Sequence, residues 1–143
     1  MTDDDEENEN KGLKYVVRLL IKHPSIDPAV VTARLSINPS GPTWTVGTAR
    51  TNPKGTPLPG VYRESVWSHS VEVRDKRSFF DEVVRLLDRL EPNAEFLREL
   101  VGSGGRAELI LHLFGDRNIG DSIGWEHLSR LAALRVNLGV EVF

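Results

Sequence analysis

The sequence predicts an α+β domain, a largely antiparallel sheet of four to five strands with helices packed on one face. Three observations predict it. The apolar segments run in the order strand, helix, long loop, strand, paired helices, strand, helix, strand, an order that suits a sheet covered on one side. The last third, Arg106 to Phe143, reads as strand, turn, helix and strand, with Phe143 still part of the final alternation. A chain of 143 residues with 39% hydrophobic content is long enough to bury one sizeable core, so one complete small domain is expected over residues 13–143.

Taken in order, Leu13 to Ile21 (LKYVVRLLI) is too apolar on both faces for a surface strand, and its β-branched and aromatic content predicts a central one. Asp27 is placed to cap a short helix that starts on Pro28, where the missing N–H costs nothing, and ends near Ser36. From Ile37 to Gly60 lie five of the eight prolines and four of the twelve glycines. That composition predicts a long loop, with a short edge strand from Trp44 to Arg50 inside it, and long loops often carry function.

Val61 to Val73 is expected to be a half-buried strand, with Trp67, His69, Val71 and Val73 on one face and Ser68, Ser70 and Glu72 on the other. After a charged turn at Arg74 to Arg77, Ser78 is placed to cap a helix whose Phe79, Val83, Leu86, Leu87 and Leu90 share a face. Pro92 opens a second helix carrying Phe96, Leu97 and Leu100, stopped by Gly102, Gly104 and Gly105. The segment AELILHLFG from Ala107 is a strand, SIGWEHLSRLAAL from Ser122 a capped helix, and NLGVEVF from Asn137 a last strand integral to the sheet.

Composition excludes several function classes. The net charge of −3 comes from the first twelve residues, where six acids face only Lys11; setting these aside leaves 17 basic against 15 acidic residues. Such a balance lacks the positive excess that nucleic-acid binding uses, and no nucleic acid is expected as a partner. The acidic run 1–12 is expected to be a solvated, disordered tail. No membrane partner is expected either, since no run approaches the ~18 apolar residues a spanning helix needs and the N-terminus is acidic where a secretory signal would be basic. With no cysteine there is neither a thiolate nucleophile nor a disulfide framework, which fits the cytoplasm.

Several residues and turns together carry a resemblance. The runs DPAVVTARLSINPSGPTWTVG at Asp27 to Gly47, SVWS at Ser65 to Ser68 and LEPNAEFLREL at Leu90 to Leu100, with the terminal helix and strand, are similar to a bacterial family, domain of unknown function 4279. The similarity spans almost the whole chain after the acidic tail. Its most specific part is the order Asp-Pro, helix, Leu, Pro, Trp, Gly and then Ser-x-Trp, which consists of turn and packing residues. It implies a stand-alone small domain of bacterial type and transfers no site residue, activity or cofactor.

The motifs that could carry chemistry are sparse. His23, His69, His112 and His127 form no metal pair at helical or strand spacing, so no metal or other cofactor is expected. An enzymatic alternative uses His69 and His112 on adjacent strands with Asp116 beyond the second, as a hydrolytic or metal-assisted site. Ser68 and Ser70 flank His69 but point to the opposite face of the strand. The glycines at 102–105 follow a helix and precede a strand, the reverse of a phosphate loop, and GDRNIGDSIG at 115–124 lacks the lysine ending. Asp81 and Glu82 fall in the first turn of a helix, where acids are structural. Arg74, Lys76 and Arg77 read as a solvated turn.

Of the three tryptophans, Trp67 is expected in the core and Trp125 beneath the first turn of the last helix. Trp44, among small polar residues in the proline-rich loop, marks a contact surface with Arg50, Lys54 and Tyr62. The resulting expectation is a non-catalytic binding or protein-interaction domain with a protein partner, of an inhibitor or immunity-like kind. The terminal strand offers unpaired backbone groups to a second copy, so the chain is expected to be a monomer or a weak homodimer through that strand.

Overall fold

The apolar decapeptide KYVVRLLIKH forms β1 (Lys14–His23), and both of its edges are occupied. A computed structural model describes residues 14–73, 79–114 and 120–143. Within them β1 is followed by α1 (Pro28–Leu35), β2 (Ala49–Thr51), β3 (Pro57–Val61) and β4 (Ser65–Val73). Then come α2 (Phe79–Leu90), a 3₁₀ turn (Glu91–Asn93), α3 (Ala94–Gly102), β5 (Arg106–Phe114), α4 (Trp125–Ala133) and β6 (Val136–Val142). The main sheet has the order β4-β1-β5-β6, with β2 and β3 forming a separate two-stranded ribbon. β1 pairs antiparallel with β4 and β5, while β6 runs parallel to β5. The α+β class, the single domain and the interior first strand are therefore as the sequence predicts. The acidic run 1–12, the turn 74–77 and the Ser78 cap lie outside the described residues.

Register explains why one face is covered. Leu19 stands opposite His69 on one side and Leu109 on the other, and Ile21 opposite Trp67 and Ala107. Because side chains alternate, Tyr15, Val17, Leu19 and Ile21 share a face with Trp67, Ala107, Leu109, Leu111 and Val136. That face meets the helices in a single core with Val31 and Leu35 of α1, Val83, Leu86, Leu87 and Leu90 of α2, Phe96, Leu97 and Leu100 of α3 and Leu131 of α4. Trp67 is 1% exposed, and its indole N–H donates to Thr32 Oγ1 at 3.0 Å, so the deepest aromatic carries no orphan donor.

Specific contacts or conformations set both ends of α1 and the start of α2. Asp27 Oδ1 accepts the Ala29 N–H at 2.9 Å, and α1 stops at Ser36, which takes a left-handed conformation. Asp121 Oδ2 accepts the Phe80 N–H at the start of α2 from a loop 41 residues away. On the surface Arg130 of α4 binds Asp88 and Glu91, and its hydrogen bonds to Glu91 and then Asp88 raise its pKa above the ordinary arginine value. No described helix is long and apolar enough to cross a membrane.

Three local expectations are corrected. The stretch 37–60 is not structureless apart from one strand near Trp44: it contains the β2–β3 ribbon, and Trp44 itself makes an isolated antiparallel bridge to Val66. Pro57 and Pro59 lie inside β3, which a two-stranded ribbon tolerates because its outer edge needs no N–H. The strand expected from Val61 begins at Ser65, since Val61 closes β3. Finally, α4 begins on Trp125 with Gly124 as its N-cap and no side-chain cap, and Trp125 is 75% exposed instead of packed beneath the turn.

Candidate functional site

Trp44, Arg50 and Tyr62 converge at the base of the ribbon. The Trp44 N–H donates to Val66 O and its carbonyl accepts the Val66 N–H, both at 2.9 Å, so its backbone is stitched to the outer edge of β4. The side chain is thereby held half-buried and stacks on Tyr62, with ring centroids 4.7 Å apart and planes 13° from parallel. Tyr62 is fixed in turn: its N–H donates to Thr48 O, and its hydroxyl donates to Thr51 O and accepts the Thr51 N–H. Val46 N–H to Ser65 Oγ at 3.0 Å closes the base of the ribbon. A shallow cavity of about 240 Å³ opens here, lined by Trp44, Arg50, Val61, Tyr62, Arg63 and Glu64.

Lys54 stands apart from that cavity, at the ribbon tip. There Asn52 Oδ1 accepts the backbone N–H groups of Lys54 and Thr56, each at 2.9 Å, and Gly55 adopts a φ of 81° that an L side chain rarely takes. Arg50 lies along the ribbon, donating to Pro59 O at 3.3 Å. The segment from Ile37 to Arg63 carries three cations, Arg50, Lys54 and Arg63, and no acid. The next residue, Glu64, sits near Lys22 and Arg106 at 4.0 and 3.9 Å, which offsets its charge at the cavity rim. Arg63 and Val61 complete the lining and were not singled out from the sequence, because the turn between β3 and β4 that presents them was not expected.

The histidines assigned to the enzymatic alternative are not brought together. His69 is opposite Leu19, on the helix-covered face, whereas His112 pairs with Val16, which is opposite Glu72, on the other face. The sheet itself separates them. His69 Nδ1 donates to Asn38 O at 2.8 Å and ties the chain after α1 to β4. His112 is 8% exposed, its Nδ1 3.1 Å from Glu141 Oε2, and its Nε2 is buried without a hydrogen-bond partner among the described residues. With the proton on Nδ1, that leaves a lone pair unsatisfied and no orphan donor. Asp116 lies outside the described residues, and Asp121 serves Phe80 N–H and Ser122 N–H. Among the described residues no three His, Asp or Glu side chains are grouped as metal ligands.

A serine–histidine contact does exist, at a place sequence reasoning missed. His23 Nε2 lies 2.9 Å from Ser103 Oγ across 80 residues of chain, beside a cavity that Arg34 and Glu99 also line. Its polarity is opposite to that of a nucleophile and base. His23 Nδ1 accepts the N–H groups of Ser25 and Ile26, so the neutral ring carries its proton on Nε2 and donates it to Ser103. Ser103 Oγ spends its own proton on Glu99 O or Leu100 O at the end of α3. The pair braces the β1–α1 turn against the α3–β5 turn, and it cannot deprotonate the serine without giving up both backbone bonds.

No curated protein and no solved structure matches the chain. One family does, described as Domain of unknown function (DUF4279), over residues 13–142. That span runs from the start of β1 to the end of β6 and takes in every element of the fold, and the chain belongs to the DUF4279 family.

Proposed function

We propose that this domain is a non-catalytic protein-interaction module, inhibitor- or immunity-like, that holds an acidic surface of a protein partner on its β2–β3 ribbon. One observation carries the reading: a rigid Trp44–Tyr62 stack at the half-exposed base of a ribbon whose only charges are Arg50, Lys54 and Arg63. Aromatic and arginine side chains held in fixed positions lose little entropy on binding, which is why they dominate interface energetics. The three cations supply attraction to an acidic patch and speed its encounter. A chain without cysteine suits work in a reducing compartment, so a cytoplasmic setting is part of the proposal. The enzymatic alternative has no comparable support, because its two histidines occupy opposite faces of the sheet.

The test is quantitative capture from native lysate, read by mass spectrometry, with wild type, Trp44→Ala, the Arg50→Glu/Lys54→Glu pair and a His69→Ala/His112→Ala control as baits. The expected result is an acidic protein whose recovery falls at least about tenfold with the tryptophan variant and with the charge reversal, and stays unchanged with the control. A partner retained by both ribbon variants would overturn the assignment of the surface.

A further inference from the structure

The two edges of the main sheet are treated differently by the sequence. Along β4, the chain from Ser40 to Trp44 covers the outer edge: Trp44 bridges Val66, Ser40 N–H donates to Ser68 O, and Ser40 Oγ accepts the Ser70 N–H. Along β6 no such cover exists among the described residues, and β5 is its one strand neighbour. The usual guards are missing as well, since VNLGVEV has neither lysine nor proline and its single charge, Glu141, is turned to His112. Val140, Val142 and Phe143 are 56, 76 and 66% exposed.

Backbone parity shows what this edge can accept. Phe143 N–H donates to Leu113 O, toward β5. In an extended strand the N–H and C=O of one residue point the same way and alternate along the chain, so Asn137, Gly139 and Glu141 also face β5. Val136, Leu138, Val140 and Val142 therefore turn their backbone groups outward.

We propose that β6 pairs antiparallel with β6 of a second copy, about a two-fold axis through Gly139, joining the two sheets into one. In this register all seven residues of β6 find a partner. Val136 is opposite Val142 and Leu138 opposite Val140 as hydrogen-bonded pairs, both from outward-facing residues. Gly139 meets Gly139, and Asn137 meets Glu141, as the closer, non-hydrogen-bonded pairs. The only charge thus faces an amide and never itself, whereas moving the axis to Glu141 would set two carboxylates against each other. Parity keeps both helical layers on the same side. Val142 of one copy then stands beside Val136 of the other, at the mouth of a groove of about 450 Å³ lined by Leu128, Leu131, Val136 and Leu138, so the exposed valines gain apolar neighbours. The ribbon sits at the β4 edge, the far side of the sheet, and the pairing leaves both ribbons free.

Sedimentation equilibrium of the full chain from about 1 to about 200 μM tests this, the range in which a short strand interface is expected to associate. The mass is expected to rise from 16.0 kDa toward twice that value. Val142→Pro removes an N–H that turns away from β5, so the fold keeps its own bonds while association weakens at least about tenfold. Gly139→Cys reports the register: its Cβ meets nothing closer than Ile110 Cγ1 at 3.7 Å, and the chain has no other cysteine. Across the axis the two Cα atoms lie about 4.5 Å apart, within disulfide range, so mild oxidation is expected to give a covalent dimer. Asn137→Cys places its two sulfurs roughly 13 Å apart along the strands and is expected to stay unlinked. A single 16.0 kDa species at every concentration, a dimer indifferent to Val142→Pro, or cross-linking through Asn137→Cys in place of Gly139→Cys would each overturn the proposal.

Discussion

Replacing His23 with alanine takes three hydrogen bonds out of one corner of the fold. Nδ1 stops accepting from Ser25 N–H at 3.0 Å and from Ile26 N–H at 2.9 Å, and Nε2 stops donating to Ser103 Oγ. Ser25 is exposed and recovers a bond to water, but Ile26 is half-buried and the imidazole itself is 7% exposed. One poorly satisfied N–H together with the space left by the ring gives an expected loss of about 2–4 kcal/mol. Asparagine is the informative comparison, because its Oδ1 can take the place of Nδ1 while nothing replaces Nε2. His23→Asn is expected to recover roughly half of the loss, and Ser103→Ala, which leaves both backbone bonds intact, to cost about 1 kcal/mol. Urea unfolding of the four proteins, with a common slope, measures all three differences. If alanine and asparagine were equally destabilising, or if Ser103→Ala cost more than His23→Ala, the polarity assigned to this pair would be wrong.

Other perturbations follow from the same packing. Gly105→Ala would set a Cβ 2.6 Å from Leu100 Cδ2, 2.7 Å from Leu100 O and 2.8 Å from His23 Cδ2; the carbonyl is backbone and cannot step aside, so a loss of about 2–4 kcal/mol is expected in the same urea assay. Gly41→Ala would place a Cβ 2.5 Å from Ser68 Oγ, whose bond to Pro42 O at 2.7 Å holds the chain over the β4 edge. Its expected cost is about 1–3 kcal/mol, with faster hydrogen exchange confined to β4 and residues 38–44. Trp67→Phe leaves Thr32 Oγ1 without its indole donor and a gap in the core, for an expected loss of about 2–3 kcal/mol by thermal unfolding.

What the sequence made legible was the sheet interior and the helices packed on it. Trp67 alternates with Val71 and Val73, and Phe79, Val83, Leu86, Leu87 and Leu90 recur at helical spacing, because burial on one face imposes its period on the chain locally. The ribbon was hidden by Pro57 and Pro59, which look like loop residues until the strand holding them is seen to have a free edge. His23–Ser103 and Asp121–Phe80 were hidden for another reason. Their partners are 80 and 41 residues apart, and no spacing rule reaches that far. A local sign of the first exists: a polar ring at a strand end, followed by proline and serine, is placed to accept the turn's own N–H groups, as it does with Ser25 and Ile26. Trp125 was placed beneath the turn because tryptophan is costly to expose, whereas at the first position of α4 it stands 75% exposed.

The candidate surface was half legible for a related reason. Composition drew attention to Trp44, Arg50, Lys54 and Tyr62, and three of the four do line one cavity. What composition could not convey is that Trp44 has two separable roles. Its backbone guards the β4 edge through bonds to Val66, and its indole stacks on Tyr62 at the rim of the cavity. Alanine at this position keeps the N–H and the carbonyl, so the edge stays paired while the aromatic platform is lost. Proline would lose both, because it takes away the indole and also the N–H that Val66 O accepts. The contrast gives the interaction reading a sharp form: binding should fall with Trp44→Ala at nearly unchanged stability, and an alanine variant that unfolded as readily as Trp44→Pro would assign the indole to the fold and leave the ribbon without its anchor.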